Sequence, residues 1–270
     1  LTLAYDGSPF SGWQVQPGLA TVQGALADSI ERVTGECVLP QGSGRTDAGV
    51  HALGQVASFP LRARIPAANL QRALNHALPP SVRVLAACEE AADFHARHSA
   101  RSKLYEYRIW RGEICMPFVA PYVYACPWPL DTEAMQAAAA LVMGEHDFAS
   151  FAAREPDLAT RRGLAADQGE TGLGGTGLGE ARSGCVRRIL ASAWDEPVPE
   201  LLRYRVRGTG FLHHMVRNLV GTFLAVGRGQ FEAGEIPRIL AARDRSAAGP
   251  TAPARGLYLV SVDYVPVDAD

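Results

Sequence analysis

The chain has 270 residues, 47% of them apolar and 20% charged, which is enough to bury one large core or two ordinary ones and excludes a disordered chain. Its net charge of −2 counts against a uniformly basic nucleic-acid binder. No stretch approaches the roughly 20 apolar residues of a membrane-spanning helix, and no leader pattern is present, so cytoplasmic residence is expected. Cys37, Cys88, Cys115, Cys126 and Cys185 contain no C-x-x-C pair, which argues against a disulfide framework or a structural zinc site. Because the sequence opens inside an apparent strand, the initiator Met and a few residues are expected to have been trimmed.

In chain order, Leu1, Leu3 and Tyr5 alternate with polar or small residues as in a half-buried strand. A helix follows, with Thr21 as N-cap, Val22, Leu26, Ile30 and Val33 on one stripe, and Gly35 as terminator. Val50 to Phe59 reads as a strand. Pro66 marks the next helix start, with Leu70, Ala73, Leu74 and Ala77 as its stripe before Pro79 and Pro80, and Val82 to Cys88 is strand-like. From Lys103, Tyr105, Tyr107 and Ile109 share one strand face and Leu104, Glu106 and Arg108 the other.

A helix is predicted from Asp131 to Met143, ending at Gly144, then strands at Val186 to Trp194 and Leu201 to Arg207. The last helix carries Leu212, Val216, Leu219 and Phe223, and Leu257 to Val265 closes the chain as a strand. The pattern predicts an α+β protein of two similar halves, 1–100 and 101–270, with mainly antiparallel sheets and an active-site cleft between them. An insertion near 155–184 stands apart. Residues 169–184 hold seven glycines and a tandem T-G-L-G, which reads as a flexible surface segment.

Basic residues are concentrated locally. Arg97, Arg101, Lys103, Arg108 and Arg111 face Glu106 alone, and residues 203–217 hold four arginines and no acid, which suits a large polyanion recognised by shape. Lys103 is the one lysine of the chain, beside 25 arginines.

The sharpest local motif is Gly42-Ser43-Gly44-Arg45-Thr46-Asp47-Ala48-Gly49-Val50-His51. Its glycines permit tight turns and close approach of a sugar or phosphate, while Arg45 and Asp47 project from the same loop. The spacing fits neither G-x-x-x-x-G-K-[ST] nor G-x-G-x-x-G, which excludes an NTP or dinucleotide loop of those kinds. His213-His214 and His95-x-x-His98 hint at metal. Adjacent histidines are expected to point in different directions, however, and no spacing completes a ligand set, so no metal site is expected.

The whole string G-S-G-R-T-D-A-G-V-H-A resembles the active-site motif of the tRNA pseudouridine synthase A family. The resemblance continues through Ala4 to Gly7, Phe10 to Gln14, Lys103 to Tyr107, His146-Asp147-Phe148 with Ser150-Phe151, Gly210 to Gly221, and Thr251 to Pro253 with Gly256-Leu257. It implies that Asp47 is the catalytic nucleophile, that Arg45 helps to flip the base, that Tyr105 stacks on uracil and that Arg217 partners Asp47. It further implies a tRNA substrate modified at uridines 38 to 40 of the anticodon arm, a homodimer and no cofactor.

The chemistry agrees. Isomerising uridine breaks N1–C1′ and joins C5 to C1′ without redox change or group donor. It needs a carboxylate, a flat surface under the base and walls that retain the detached uracil. Asp47, Tyr105 and an apolar lip including Leu257 can supply these, and an arginine beside Asp47 would favour its anionic form and orient it. Attack at C6, attack at C1′ and action on an eliminated sugar all stay open. Two rivals share part of the signature: an Asp-dependent hydrolase of N-glycosidic bonds, and a non-catalytic RNA-binding protein built on the basic strand with Tyr105 and Tyr107.

Overall fold

The computed structural model describes residues 1–153 and 184–265; most of the expected Gly-rich insertion lies outside the described residues. The strands are β1 (Thr2–Tyr5), β2 (Gln41–Gly42), β3 (His51–Ser58), β4 (Val82–Ala86), β5 (Ser102–Trp110), β6 (Tyr124–Ala125), β7 (Gly144–Asp147), β8 (Val186–Val198), β9 (Leu201–Gly208) and β10 (Leu257–Asp263). The helices longer than one turn are α1 (Val22–Thr34), α2 (Ala67–Ala77), α3 (Thr132–Ala140), α4 (Met215–Gly227) and α5 (Ile236–Ala242). The protein is α+β, as its pattern predicts.

Local chemistry sets the helix limits. The Thr21 side chain accepts from the Gly24 N–H, and Gly35 takes the left-handed conformation at φ 74°; a cap of this kind contributes about 1 kcal/mol. α2 buries Leu70 and Leu74 and stops before the prolines. α3 is shorter than its pattern suggests: Asp131 caps it, but it ends at Ala140. Gly144 (φ 96°) instead begins β7, which pairs with β8.

The strands join into one sheet in the order β4-β1-β3-β10-β5-β9-β8-β7, with β2 on β3 and β6 on β5. Most of the pairs are antiparallel. β10 links β3 to β5 within this sheet, lying parallel to β3 (Tyr258 opposite His51) and antiparallel to β5 (Leu257 opposite Tyr107). No local pattern announces that insertion, because a closing strand pairs with whatever edge the rest of the fold leaves open.

Register assigns the two faces. Lys103, Tyr105, Tyr107 and Ile109 of β5 pair with Gly208, Val206, Tyr204 and Leu202 of β9, and directly opposed residues of an antiparallel pair share a face. On this face lies the α4 core, where Tyr204 meets Phe223 edge-on at 5.3 Å and Tyr107, Leu202, Leu219 and Phe223 are fully enclosed. Truncating Phe223 to Ala would cost about 3–5 kcal/mol.

The other face carries Arg108 with Arg203, and Glu106 with Arg205. Arg203 is held by Asp195 at 2.7 Å, Arg108 by Glu106 at 2.7 Å, and Arg207 by Asp263. The basic stretch from Arg203 therefore does not present a run of cations to the Asp47 side, because strand alternation turns Arg203, Arg205 and Arg207 away from it. Among the described residues, no helix is long and apolar enough to cross a membrane.

Candidate active site

Asp47 sits on the loop between β2 and β3, and the neighbouring motifs exist to hold that loop. Ser43 donates to Gln55 Oε1 at 2.6 Å, and Gln55 returns a bond to the Gly44 carbonyl at 2.9 Å. The Lys103 ammonium donates to the Ser43 carbonyl at 2.5 Å. Thr46 shares a hydrogen bond with the Tyr5 hydroxyl at 2.8 Å, while its carbonyl accepts from Trp13 N at 3.0 Å. Gly12 lies at φ 90°, and a Cβ there would fall 2.7 Å from the Thr46 carbonyl, so only glycine permits this approach. Thus the segments Ala4 to Gly7 and Phe10 to Gln14 clamp the loop from beneath.

Arg217 reaches Asp47 from the first turn of α4. Its Nη1 donates to Asp47 Oδ2 at 2.9 Å and its Nε to the Ala252 carbonyl at 2.8 Å. The Ala252 N–H returns a bond to the Arg217 carbonyl. The 249–252 segment lies so close to α4 that a Cβ on Gly221 would fall 1.6 Å from the Pro250 carbonyl oxygen. Buried Asn218 extends the brace: it donates to Phe151 O and accepts from Thr251 and Arg245. This explains the motifs around Phe151 and Thr251, which hold the helix that carries Arg217.

The histidines depart from expectation. His214 adopts a left-handed conformation (φ 59°) at the α4 N-cap, which brings its ring to 3.9 Å from that of His213. Both rings then converge on the carboxylate, His213 Nε2 at 3.4 Å from Oδ1 and His214 Nε2 at 3.4 Å from Oδ2. Neighbouring side chains diverge in regular backbone; the αL residue removes that constraint. Burial holds the His214 imidazole below its ordinary range, against the opposing pull of Asp47. The three donor atoms are close enough to share a cation, but Oδ2 is already engaged by the Arg217 guanidinium.

Asp47 opens into a cleft of about 1110 Å³ whose walls include Arg45, Tyr105, Leu257, Phe211, Lys103, Arg97 and Arg187. Tyr105 lies 7% exposed at the cleft wall, edge-on to Phe211 at 4.9 Å. Burial raises its hydroxyl well above the usual tyrosine range. Of the five residues singled out in the sequence, Asp47, Arg45, Tyr105 and Leu257 line one cleft, and Arg217 touches Asp47. Sequence reasoning missed Phe211 and Arg187, gave Lys103 no part in anchoring the loop, and set the histidine pair aside as diverging side chains. For Lys103, its solitary status and its position two residues before Tyr105 on one strand face were the available signals.

A recessed cleft with, among the described residues, one carboxylate, an aromatic wall and a basic rim suits an enzyme that works on a polyanionic substrate carrying planar groups. The chain belongs to the tRNA pseudouridine synthase family, whose description fits residues 2–99 and 176–265. It is 49% identical to the tRNA pseudouridine synthase A of Solibacter usitatus over 263 residues, 97% of each chain. The corresponding enzymes of Moorella thermoacetica and Lacticaseibacillus casei are 43% and 41% identical, each over 98% of both chains. The chain is accordingly an isomerase of the tRNA pseudouridine synthase type.

Proposed function

We propose that this enzyme isomerises uridines 38 to 40 in the anticodon arm of tRNA, with Asp47 as its nucleophile and no cofactor. The observation that carries the reading is that, among the described residues lining the cleft, Asp47 is the one carboxylate, held at 2.9 Å by Arg217. Family membership supports the reaction itself, and the position within tRNA rests on the motif resemblance.

In this reading Arg45 helps to turn the target nucleotide out of its stack, and the base enters the cleft between Tyr105 and Leu257. The Asp47 carboxylate assists cleavage of N1–C1′, and the detached uracil, held on Tyr105, turns until C5 faces C1′. Closure forms C5–C1′ and frees Asp47; C5 then loses its proton and N1 gains one, so the reaction is balanced without a co-reactant. Arg217 cannot drift, since Nε is occupied by Ala252, and a fixed partner lowers the reorganisation needed when charge moves on and off the carboxylate.

We also read the protein as a homodimer in the cytoplasm. Ile114, Met116 and Phe118 are 75%, 53% and 83% exposed, an apolar concentration that supports association of copies. Mapping pseudouridine in tRNA from cells lacking this protein tests the reading: loss confined to positions 38 to 40 is expected, and an unchanged map at those positions would overturn it.

A further inference from the structure

The cleft has a second group of cations away from Asp47. Lys103 stands on β5, Arg97 on the segment before it and Arg187 at the start of β8, and all three line the same cleft. The Lys103 ammonium lies 3.0 Å from where a Cβ on Gly44 would sit, so the missing side chain leaves that ammonium room at the loop. The Arg187 guanidinium is fixed in place, its Nη1 donating to the Gly184 and Val186 carbonyls at 2.8 and 2.6 Å. Burial first, then the like charges of Arg97 and Arg187, hold the Lys103 ammonium down to about 8. Three cations crowded on a wall where, among the described residues, Asp47 is the one carboxylate repel one another, and an anion placed among them removes that cost.

We propose that Arg97, Lys103 and Arg187 form a phosphate subsite that grips a backbone phosphodiester of the RNA strand beside the nucleotide presented to Asp47. This rests on the reading of the cleft as the tRNA site. Gly44 and Asp47 are three residues apart, a span of at most roughly 11 Å, so the phosphate belongs one or two linkages from the target. Lys103 then bridges the phosphate and the Ser43 carbonyl, so seating the strand also tightens the base of the Asp47 loop. The subsite reads no base edge; it fixes the register in which the target uridine reaches the carboxylate.

The test uses tRNA assembled by ligation, each molecule carrying one uncharged methylphosphonate at a chosen linkage around the target. Affinity, its salt dependence and single-turnover rate are measured for the full chain and for Arg97→Gln, Arg187→Gln and Arg187→Lys. One linkage should lose roughly tenfold in affinity with the parent enzyme. With either Gln variant affinity should already be lower by a similar factor, the salt slope smaller by about one, and the same methylphosphonate should cost nothing further. Arg187→Lys, which keeps the charge, should recover most of the loss. Methylphosphonate effects that are equal in parent and variants at every linkage, or absent at all of them, overturn the subsite. A parent that forms no pseudouridine in any tRNA overturns the underlying functional reading instead.

Discussion

Asp47 and Arg217 are 170 residues apart in sequence and 2.9 Å apart in space, and Arg217 makes its second bond to the backbone of Ala252. The guanidinium is thus a strut between the loop that carries the carboxylate and the 249–252 segment. An ammonium keeps the charge but cannot direct two N–H groups along these two lines. Arg217→Lys is predicted to lower single-turnover rate by roughly 10–100-fold while changing tRNA affinity little. An effect confined to affinity would show that Arg217 serves the phosphates rather than Asp47.

Tyr105 presents a ring to the cleft and buries its hydroxyl, which stays protonated throughout the working pH range. Tyr105→Phe should therefore bind and stack the base as the parent does, with any loss assignable to the hydroxyl. Tyr105→Leu removes the aromatic face, whose stacking is worth about 1–3 kcal/mol, and should be much slower. Equal activity of parent and both variants in single-turnover assays would make Tyr105 a wall residue only.

Much of this was legible in the sequence. The α1 cap at Thr21, the Gly35 terminator and the faces of β5 and β9 follow from period and capping, which are local. Asp47, Arg45, Tyr105, Arg217 and Leu257 were reachable as candidates through motif and chemistry, and the structure brings them to the cleft or, for Arg217, to Asp47. The parallel pairing of β10 on β3 and the salt-bridged fate of Arg203 and Arg207 were not, since both depend on partners distant in sequence. The convergence of His213 and His214 was hidden for a different reason. It hangs on a single positive φ at a non-glycine residue, which composition does not signal.

Lys103 gives tRNA binding a pH dependence. The groups facing it are the Arg97 and Arg187 guanidiniums, which keep their charge throughout, while burial keeps the nearby Tyr5 and Tyr105 hydroxyls above the range. Below about 8 Lys103 carries its charge already; above about 8 it must take up a proton to hold a phosphate. Affinity should therefore be highest below pH 8 and fall as pH rises through 8 to 9.5, and Lys103→Gln should be weaker and nearly flat. Binding isotherms at fixed salt check this, and a parent profile that rises with pH contradicts it.

His213, His214 and Asp47 could share a cation, yet the Arg217 guanidinium occupies the same carboxylate oxygen as His214. A divalent ion would have to displace that charge or sit beside it. Dialysis against a strong chelator is predicted to leave turnover within about twofold, whereas added zinc at high concentration should inhibit by drawing the histidines and Asp47 away from Arg217. Loss of activity on chelation, restored by one metal, would reverse this assignment.

The central claim is that the Asp47 carboxylate performs the chemistry. Asn is nearly isosteric and can still accept a hydrogen bond from Arg217, but it cannot act as an anionic nucleophile. The decisive measurement is the single-turnover rate of pseudouridine formation by Asp47→Asn, with tRNA affinity measured on the same preparation. Affinity near that of the parent with a rate lower by roughly three or more orders of magnitude is the predicted result; a variant that keeps even about a tenth of the parental rate contradicts the account.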